Sequence, residues 1–332
     1  MNIGIIGFGV QGKIRFNSVK EIGDKDFKVI KISDLQKPNM DLCPEVKFVE
    51  DYYEILNDKN IDIVFVCTPN NLTKDIIIEA LNSGKHVFSE KPPGRNIDEL
   101  EQIIEAEKKS CNKKLMFGFN HRHHDSVLYA KKVVDSLELG EILWMRGRYG
   151  KSVTPDFLNT WRAKKEIAGG GIFLDQGIHM LDLFLMMVGD FDEVKAYVSN
   201  LFWNLDVEDN VFAIFKNKKG QVASLHSTMT QWRHLFSFEI FLEKGHIVIN
   251  GLLTSSGSYG KERLSIAKNK LVSPAVQWSK EENITYDINT SWNNEMRMFF
   301  QAIRDDKPIE MCGSVDAYKL MRLVDKVYKQ GD

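Results

Sequence analysis

The stretch Asn2-Ile3-Gly4-Ile5-Ile6-Gly7-Phe8-Gly9-Val10-Gln11-Gly12 places a short apolar run directly before a glycine-rich hexapeptide. Residues 3–6 read as a strand and 10–22 as a helix. The GxGxxG therefore sits on a strand-to-helix turn, the context in which it seats a dinucleotide. Gly7 allows the tight turn, Gly9 lets a pyrophosphate approach the backbone, and Gly12 lets the helix pack on the strand. The free N–H groups at the positive helix end hold the phosphates. Phe8, Val10 and Gln11 complete the loop as candidate cofactor contacts. The next expected strand, 27–33, is followed by Asp34, placed to accept hydrogen bonds from ribose hydroxyls about 20 residues on from the glycines. A carboxylate there repels a 2′-phosphate, so NAD is expected, while nearby Lys37 keeps NADP open.

Outward from this start, expected strands at 61–67, 85–89 and 115–119 alternate with expected helices at 52–57, 72–82 and 96–110. Asn96 and Glu99 are spaced as in a capping box. Alternation of this kind implies a doubly wound parallel sheet, and so an α/β fold with a Rossmann domain over 1–121. The pattern then changes. After a helix at 123–137, strands are expected at 142–149, 193–203, 210–216, 221–229, 236–242 and 246–250, with turn signals at Lys218-Lys219-Gly220 and Lys244-Gly245. This is read as an antiparallel meander in an α+β domain over 122–332 that ends in helices near 291–304 and 313–329.

The chain has 332 residues, 43% apolar and 27% charged, with a formal charge of −2. Two domains of ordinary soluble composition follow, with no basic footprint for nucleic acid or an anionic membrane. The opening residues read as a strand and not as a leader, and the apolar runs at 64–67 and 183–188 are too short to span a bilayer. Cys43, Cys67, Cys111 and Cys312 form no CxxC pair. A reducing, cytoplasmic setting without structural zinc is expected.

Three constellations bear on chemistry. Ser89-Glu90-Lys91-Pro92-Pro93 lies at the carboxyl end of an expected strand, the edge where open α/β sheets bind ligands. There Lys91 is either a donor to a substrate oxygen or a solvated lysine at a turn. The run 169–188 opens Gly169-Gly170-Gly171 and is otherwise nearly all apolar, so it reads as a buried helix. Asp175, His179 and Asp182 form its one polar stripe. His179 is either a proton acceptor tuned by a carboxylate or a hydrogen-bonded core histidine. Asn120-His121-Arg122-His123-His124-Asp125 is tempting as a metal set, but its spacing puts no three ligands on one helix face, and no metal is expected. Asn120 and Arg122 are better read as polar groups at the domain junction.

With these residues in order, the chain resembles the Gfo/Idh/MocA oxidoreductases. The shared pattern comprises the GxGxxG, Asp34, Cys67-Thr68-Pro69-Asn70, Gly84-Lys85-His86-Val87, Glu90-Lys91-Pro92, Trp161-Arg162, the Gly169…Asp175…Gly177…His179…Asp182 run and Trp292…Glu295…Phe299. The resemblance implies a C-terminal domain with a large open sheet that joins subunits into a homo-oligomer. It implies hydride transfer between NAD(P) and a sugar, inositol or sugar nucleotide. Lys91, Asp175 and His179 match residues around the reacting carbinol. Thr68, Pro69, Asn70, Glu90, Lys91 and Asn120 match cofactor contacts. Arg122, Tyr149, Trp161 and Arg162 are the substrate-contact candidates. Thr73 stands where the family often has histidine, and Arg95 is expected to reach a phosphate or carboxylate or to face water. The alternatives are a glycosidase with a held, recycled NAD and a non-catalytic NAD(P)-binding sensor.

Overall fold

The computed structural model describes residues 1–39, 45–269 and 277–331; Cys43 lies outside them. The chain forms β1 (Asn2–Ile6), α1 (Val10–Ile22), β2 (Lys28–Ser33), β3 (Lys47–Val49), α2 (Tyr53–Leu56), β4 (Ile63–Val66), α3 (Asn70–Asn82), β5 (His86–Glu90), α4 (Ile97–Lys109) and β6 (Leu115–Gly118). Among the described residues these strands make one parallel sheet in the order β3-β2-β1-β4-β5-β6. β4 is buried along its whole length, as a strand covered on both faces must be. Asn96 caps α4 by accepting the Glu99 N–H at 2.9 Å. The Glu99 carboxylate does not close the expected box onto Asn96; it takes the Arg95 N–H at 2.8 Å, one residue earlier.

The remaining elements are α5 (Asp125–Asp135), β7 (Ile142–Ser152), α6 (Lys165–Ala168), α7 (Ile178–Val188), β8 (Glu193–Ser199), β9 (Asn210–Lys216), β10 (Val222–Thr228), β11 (Thr230–Leu242), β12 (Gly245–Asn250), β13 (Glu262–Lys268), β14 (Glu282–Tyr286), α8 (Ser291–Arg304) and α9 (Ser314–Tyr328). The second sheet runs β14-β13-β12-β11-β7-β10-β9-β8 among the described residues. It is antiparallel except where β10 lies parallel to β7, so it is not the simple meander expected. Its inner face takes α7: a Cβ on Gly147 would lie 2.3 Å from Met180 and 2.9 Å from Phe184. The helical stretch from Lys165 to Val188 is by length and composition long enough to cross a membrane, contrary to the reading of its apolar core as too short. Its most apolar 18-residue window is 78% buried inside the protein, as a core helix is.

Two compact units result: 1–120 with 166–169 and 292–321, and 121–165 with 170–291 and 322–332. A single cut near residue 121 therefore misses a return of the chain to the first unit. The Trp292…Glu295…Phe299 pattern explains that return, because these positions share one helical face. Phe299 packs on Phe88 at 5.7 Å, Trp292 lies on Arg15, and Glu295 pairs with Arg15 at 2.5 Å.

Candidate active site

The first unit carries the nucleotide cradle. Gly7 has φ +87°, and a Cβ there would lie 2.5 Å from the Cys67 carbonyl oxygen; one on Gly12 would lie 2.1 Å from that of Gly7. Around Gly9 a Cβ would meet nothing within 4 Å. Two glycines are thus demanded by the protein's own packing, and the third leaves backbone open to a ligand. Gly9 also caps α1, whose first turn holds no acidic side chain. Asp34 Oδ2 accepts the Phe8 N–H at 2.6 Å, so the acidic residue and the glycine loop are one assembly. Phe8 is buried, Val10 is exposed at the helix start, and Lys37 is exposed beyond Asp34.

At the β4–α3 turn, Thr68 and Pro69 precede the helix. Asn70 Nδ2 donates to the Ala168 carbonyl at 2.7 Å. Thr73 Oγ1 bonds back to Pro69 O at 3.3 Å, so this hydroxyl is used within the helix. The Lys91-Pro92 bond is cis. Lys91 is half-buried, and Asn120 is buried at the end of the unit.

Glu90, expected beside the cofactor, holds an internal cation. Its carboxylate accepts from Arg15 Nε at 2.6 Å inside a knot with Glu295. Arg15 is fully buried and lies 4.3 Å from the Phe88 ring centre and 4.6 Å from that of Trp292. Burial opposes its charge, but Glu295 and Glu90 outweigh burial and hold the guanidinium above its ordinary range. Arg95 is partly exposed, and the carboxylate it reaches is internal. It clamps the Glu99 carboxylate, with Nε at 2.8 Å, and donates to Glu166 O at 2.5 Å.

In the second unit a π-helical turn, Phe173–Gly177, leads into α7. The glycines before it are required by protein atoms: a Cβ on Gly170 would lie 2.1 Å from Tyr328 Oη and one on Gly171 2.1 Å from Glu208 O. Glu208 also accepts the N–H groups of Gly171 and Phe173 at 2.8 and 3.0 Å. That helix start is filled by an internal carboxylate and is not an open anion site. The polar stripe divides. Asp182 is buried in a two-bond pair with Arg122, at 2.8 and 2.6 Å. Asp175 keeps a quarter of its side chain accessible, pairs with Lys151 at 2.6 Å and lies 3.9 Å from Arg162 Nε. Arg162 in turn stacks on Trp161 at 4.4 Å. Beside Asp175, Gln176 donates to Tyr259 Oη at 2.6 Å.

His179 is buried, and its ring lies flat on that of His121, 3.8 Å between centroids with 18° between planes. His121 Nε2 is 3.0 Å from Tyr149 Oη. Burial, with Tyr259 and Asp175 adding to it, holds the Tyr149 hydroxyl well above the usual phenol range, so it keeps its proton. Tyr149 is thus a buried, neutral hydroxyl beside His121. His124 pairs with Glu262 at 2.8 Å. Among the described residues no group of His, Cys, Asp or Glu is arranged to hold a metal ion. Sequence reasoning missed Arg15, Lys151, Gln176 and Tyr259, and weighed His121 only as a metal ligand.

Residues 1–119 match the family model for the oxidoreductase family with an NAD-binding Rossmann fold, and 127–248 match the GFO/IDH/MocA C-terminal domain. Levoglucosan dehydrogenase of Pseudarthrobacter phenanthrenivorans is 31% identical over 227 residues, 60% of this chain and 58% of that protein. Inositol 2-dehydrogenase of Salmonella typhimurium is 31% identical over 155 residues, 46% and 43%. The matches thus span about half the length of these curated relatives. A solved levoglucosan dehydrogenase, in complex with NADH and levoglucosan, superposes with a TM-score of 0.86 at 24% identity over 100% of this chain and 97% of that one, which shows the shared fold.

Proposed function

The chain belongs to the GFO/IDH/MocA family of NAD-binding oxidoreductases, and from that premise we propose that it moves a hydride between nicotinamide and a carbinol or ketone carbon of a sugar, inositol or sugar nucleotide. The cradle carries this reading: backbone open at Gly9, with Asp34 tied to the loop that offers it. Those residues fit NAD, and Gly7 to Gly12, Asp34, Thr68, Pro69 and Asn70 are assigned to hold it. When bound, the nicotinamide supplies the hydride acceptor or donor. The protein's own work is proton and charge handling. His179 takes the hydroxyl proton, Lys91 steadies the oxygen as negative charge builds, and Asp175 orients a hydroxyl through a carboxylate fixed by Lys151. Trp161 and Arg162 offer a flat face and a forked donor suited to a polyhydroxylated ring.

A homo-oligomer joined through the open face of the second sheet belongs to the same proposal. That face carries Trp144, Tyr197, Phe212 and Ile214, all exposed.

The test is nicotinamide absorbance with NAD⁺ or NADP⁺ against levoglucosan, myo-inositol, free sugars and UDP- or GDP-sugars. His179→Ala is expected to lower turnover by roughly 100- to 10,000-fold. For Lys91→Ala the expected loss is roughly 100- to 1,000-fold. Near-native turnover in both variants sinks the assignment. Release of sugar from a glycoside without net reduction points instead to a glycosidase with a recycled cofactor.

A further inference from the structure

Resting on that reading of His179, we propose that His121 is a positioning residue, its ring a flat plate that sets the plane of the His179 imidazole. The two rings are both about 5% exposed, and they lie 3.8 Å apart with only 18° between them. A buried imidazole on a helix has a broad, roughly two-fold second torsion, so its ring plane is fixed by what it packs against. Here one face is fixed by another ring of the same unit. The plate is itself held. Tyr149 Oη lies 3.0 Å from His121 Nε2, and Phe236 stands tilted at 6.0 Å from the His121 ring. Tyr149 is in turn packed edge-on against Phe236 at 5.3 Å and Tyr259 at 5.3 Å. Tyr149 stays a neutral hydroxyl because burial disfavours its phenolate. The stacking needs only a flat ring at position 121, whereas the bond to Tyr149 needs its nitrogen. Those two requirements separate by substitution.

The experiment compares wild type with His121→Phe, His121→Leu and Tyr149→Phe, with Lys91→Ala as the control on the functional reading. Proton NMR of the ring hydrogens comes first, because it needs neither substrate nor cofactor. A stacked pair shifts the His179 ring signals upfield. The shift is expected to persist in His121→Phe and to vanish in His121→Leu. Unshifted His179 signals in the wild type overturn the proposal, and that measurement does not depend on any variant folding. Turnover on levoglucosan or myo-inositol comes second. His121→Leu is expected to lose roughly 10- to 100-fold in kcat, the scale of a misplaced catalytic group. Its KM for NAD⁺ should stay within about twofold of wild type, as expected when the interaction lost is made only in the transition state. His121→Phe should recover most of kcat, and Tyr149→Phe should fall between. Equal loss in the Phe and Leu variants, or none in Leu while Lys91→Ala is inactive, overturns the plate and leaves the functional reading standing. Full turnover in Lys91→Ala, matched by His179→Ala, overturns that reading, while the NMR result still decides the stacking.

Discussion

One oxygen of the Asp34 carboxylate accepts the Phe8 N–H at 2.6 Å and the other accepts the Gln36 N–H at 3.3 Å. Both bonds fix the group in a half-exposed position at the carboxyl end of β2. A negative charge so held opposes a 2′-phosphate more firmly than a mobile side chain would. Asp34→Ser is therefore expected to shift the ratio of kcat/KM for NAD⁺ over NADP⁺ toward NADP⁺ by roughly 10- to 100-fold, the scale of one like-charge juxtaposition. The measurement is that ratio with one substrate; an unchanged ratio removes Asp34 from the cofactor's ribose. At this scale the glycine loop and Asp34 were legible because both follow from spacing along the chain. Arg15 was not. In a helix of mixed polarity an arginine reads as solvated, and its partners lie 75 and 280 positions away. Separation along the chain, 83 and 24 positions, likewise hid the Tyr259 contact of Gln176 and the Lys151 contact of Asp175.

Alternating strands and helices in the first unit were legible because a strand buried on both faces is a continuous apolar run, as at 63–66. β13 and β14 were not. β14 is Glu282–Tyr286, with polar residues at most positions, and it gains its place by pairing with β13. The π-helical turn at 173–177 was equally invisible, since no local residue type demands it. In the strands of the second sheet the alternation is clear, yet the side away from α7 sets exposed apolar side chains among charged ones such as Arg146 and Glu239. Phe212 stacks on His226 at 3.9 Å, Trp144 stacks on Phe241 at 4.0 Å, and Ile214 and Tyr197 stand exposed on β9 and β8. Exposed apolar side chains grouped in this way are what the proposed subunit contact would cover. If it joins copies of the chain, Ile214→Asp places a charge in that interface while leaving the core face of β9, Val211, Ala213 and Phe215, untouched. Light scattering after size exclusion is expected to show a smaller species for the variant than for the wild type. Equal masses refute this face as the contact.

For the molecule as a whole, buried titratable groups set the direction in which acid acts. Burial, with Lys113 and Lys114 adding to it, pushes the His86 imidazole down to about 4. Its Nδ1 accepts the Lys114 N–H at 3.0 Å, a bond that a proton on that nitrogen would break. The unfolded chain takes up this proton near pH 6.5 and the folded chain does not, so stability is complete above 6.5 and declines as pH falls toward 4. The contribution is at most about 3 kcal/mol at roughly 1.4 kcal/mol per pKa unit, less whatever solvent screening the half-buried ring allows. Asp209 and Glu262 act lower. Burial raises both, but three backbone N–H groups from Leu201, Trp203 and Phe202 outweigh it at Asp209, and His124 with Ser126 outweighs it at Glu262. Both sit below the ordinary carboxylate range, so their stabilisation is present above about 4 and is lost as pH falls further. Glu208 opposes this trend: burial holds it above its ordinary value, so its contribution diminishes as pH rises through the acidic range. The His86 limb lies at higher pH than the carboxylates, in the window that His226 and His234, also held down by burial, share, so it is isolated by substitution. His86→Gln cannot take up a proton in either state, so the fall in urea midpoint between pH 6.5 and 4.5 should be shallower than in the wild type, with the steeper loss below pH 4 retained. Parallel wild-type and variant curves across that window would show that His86 titrates alike in the folded and unfolded chains.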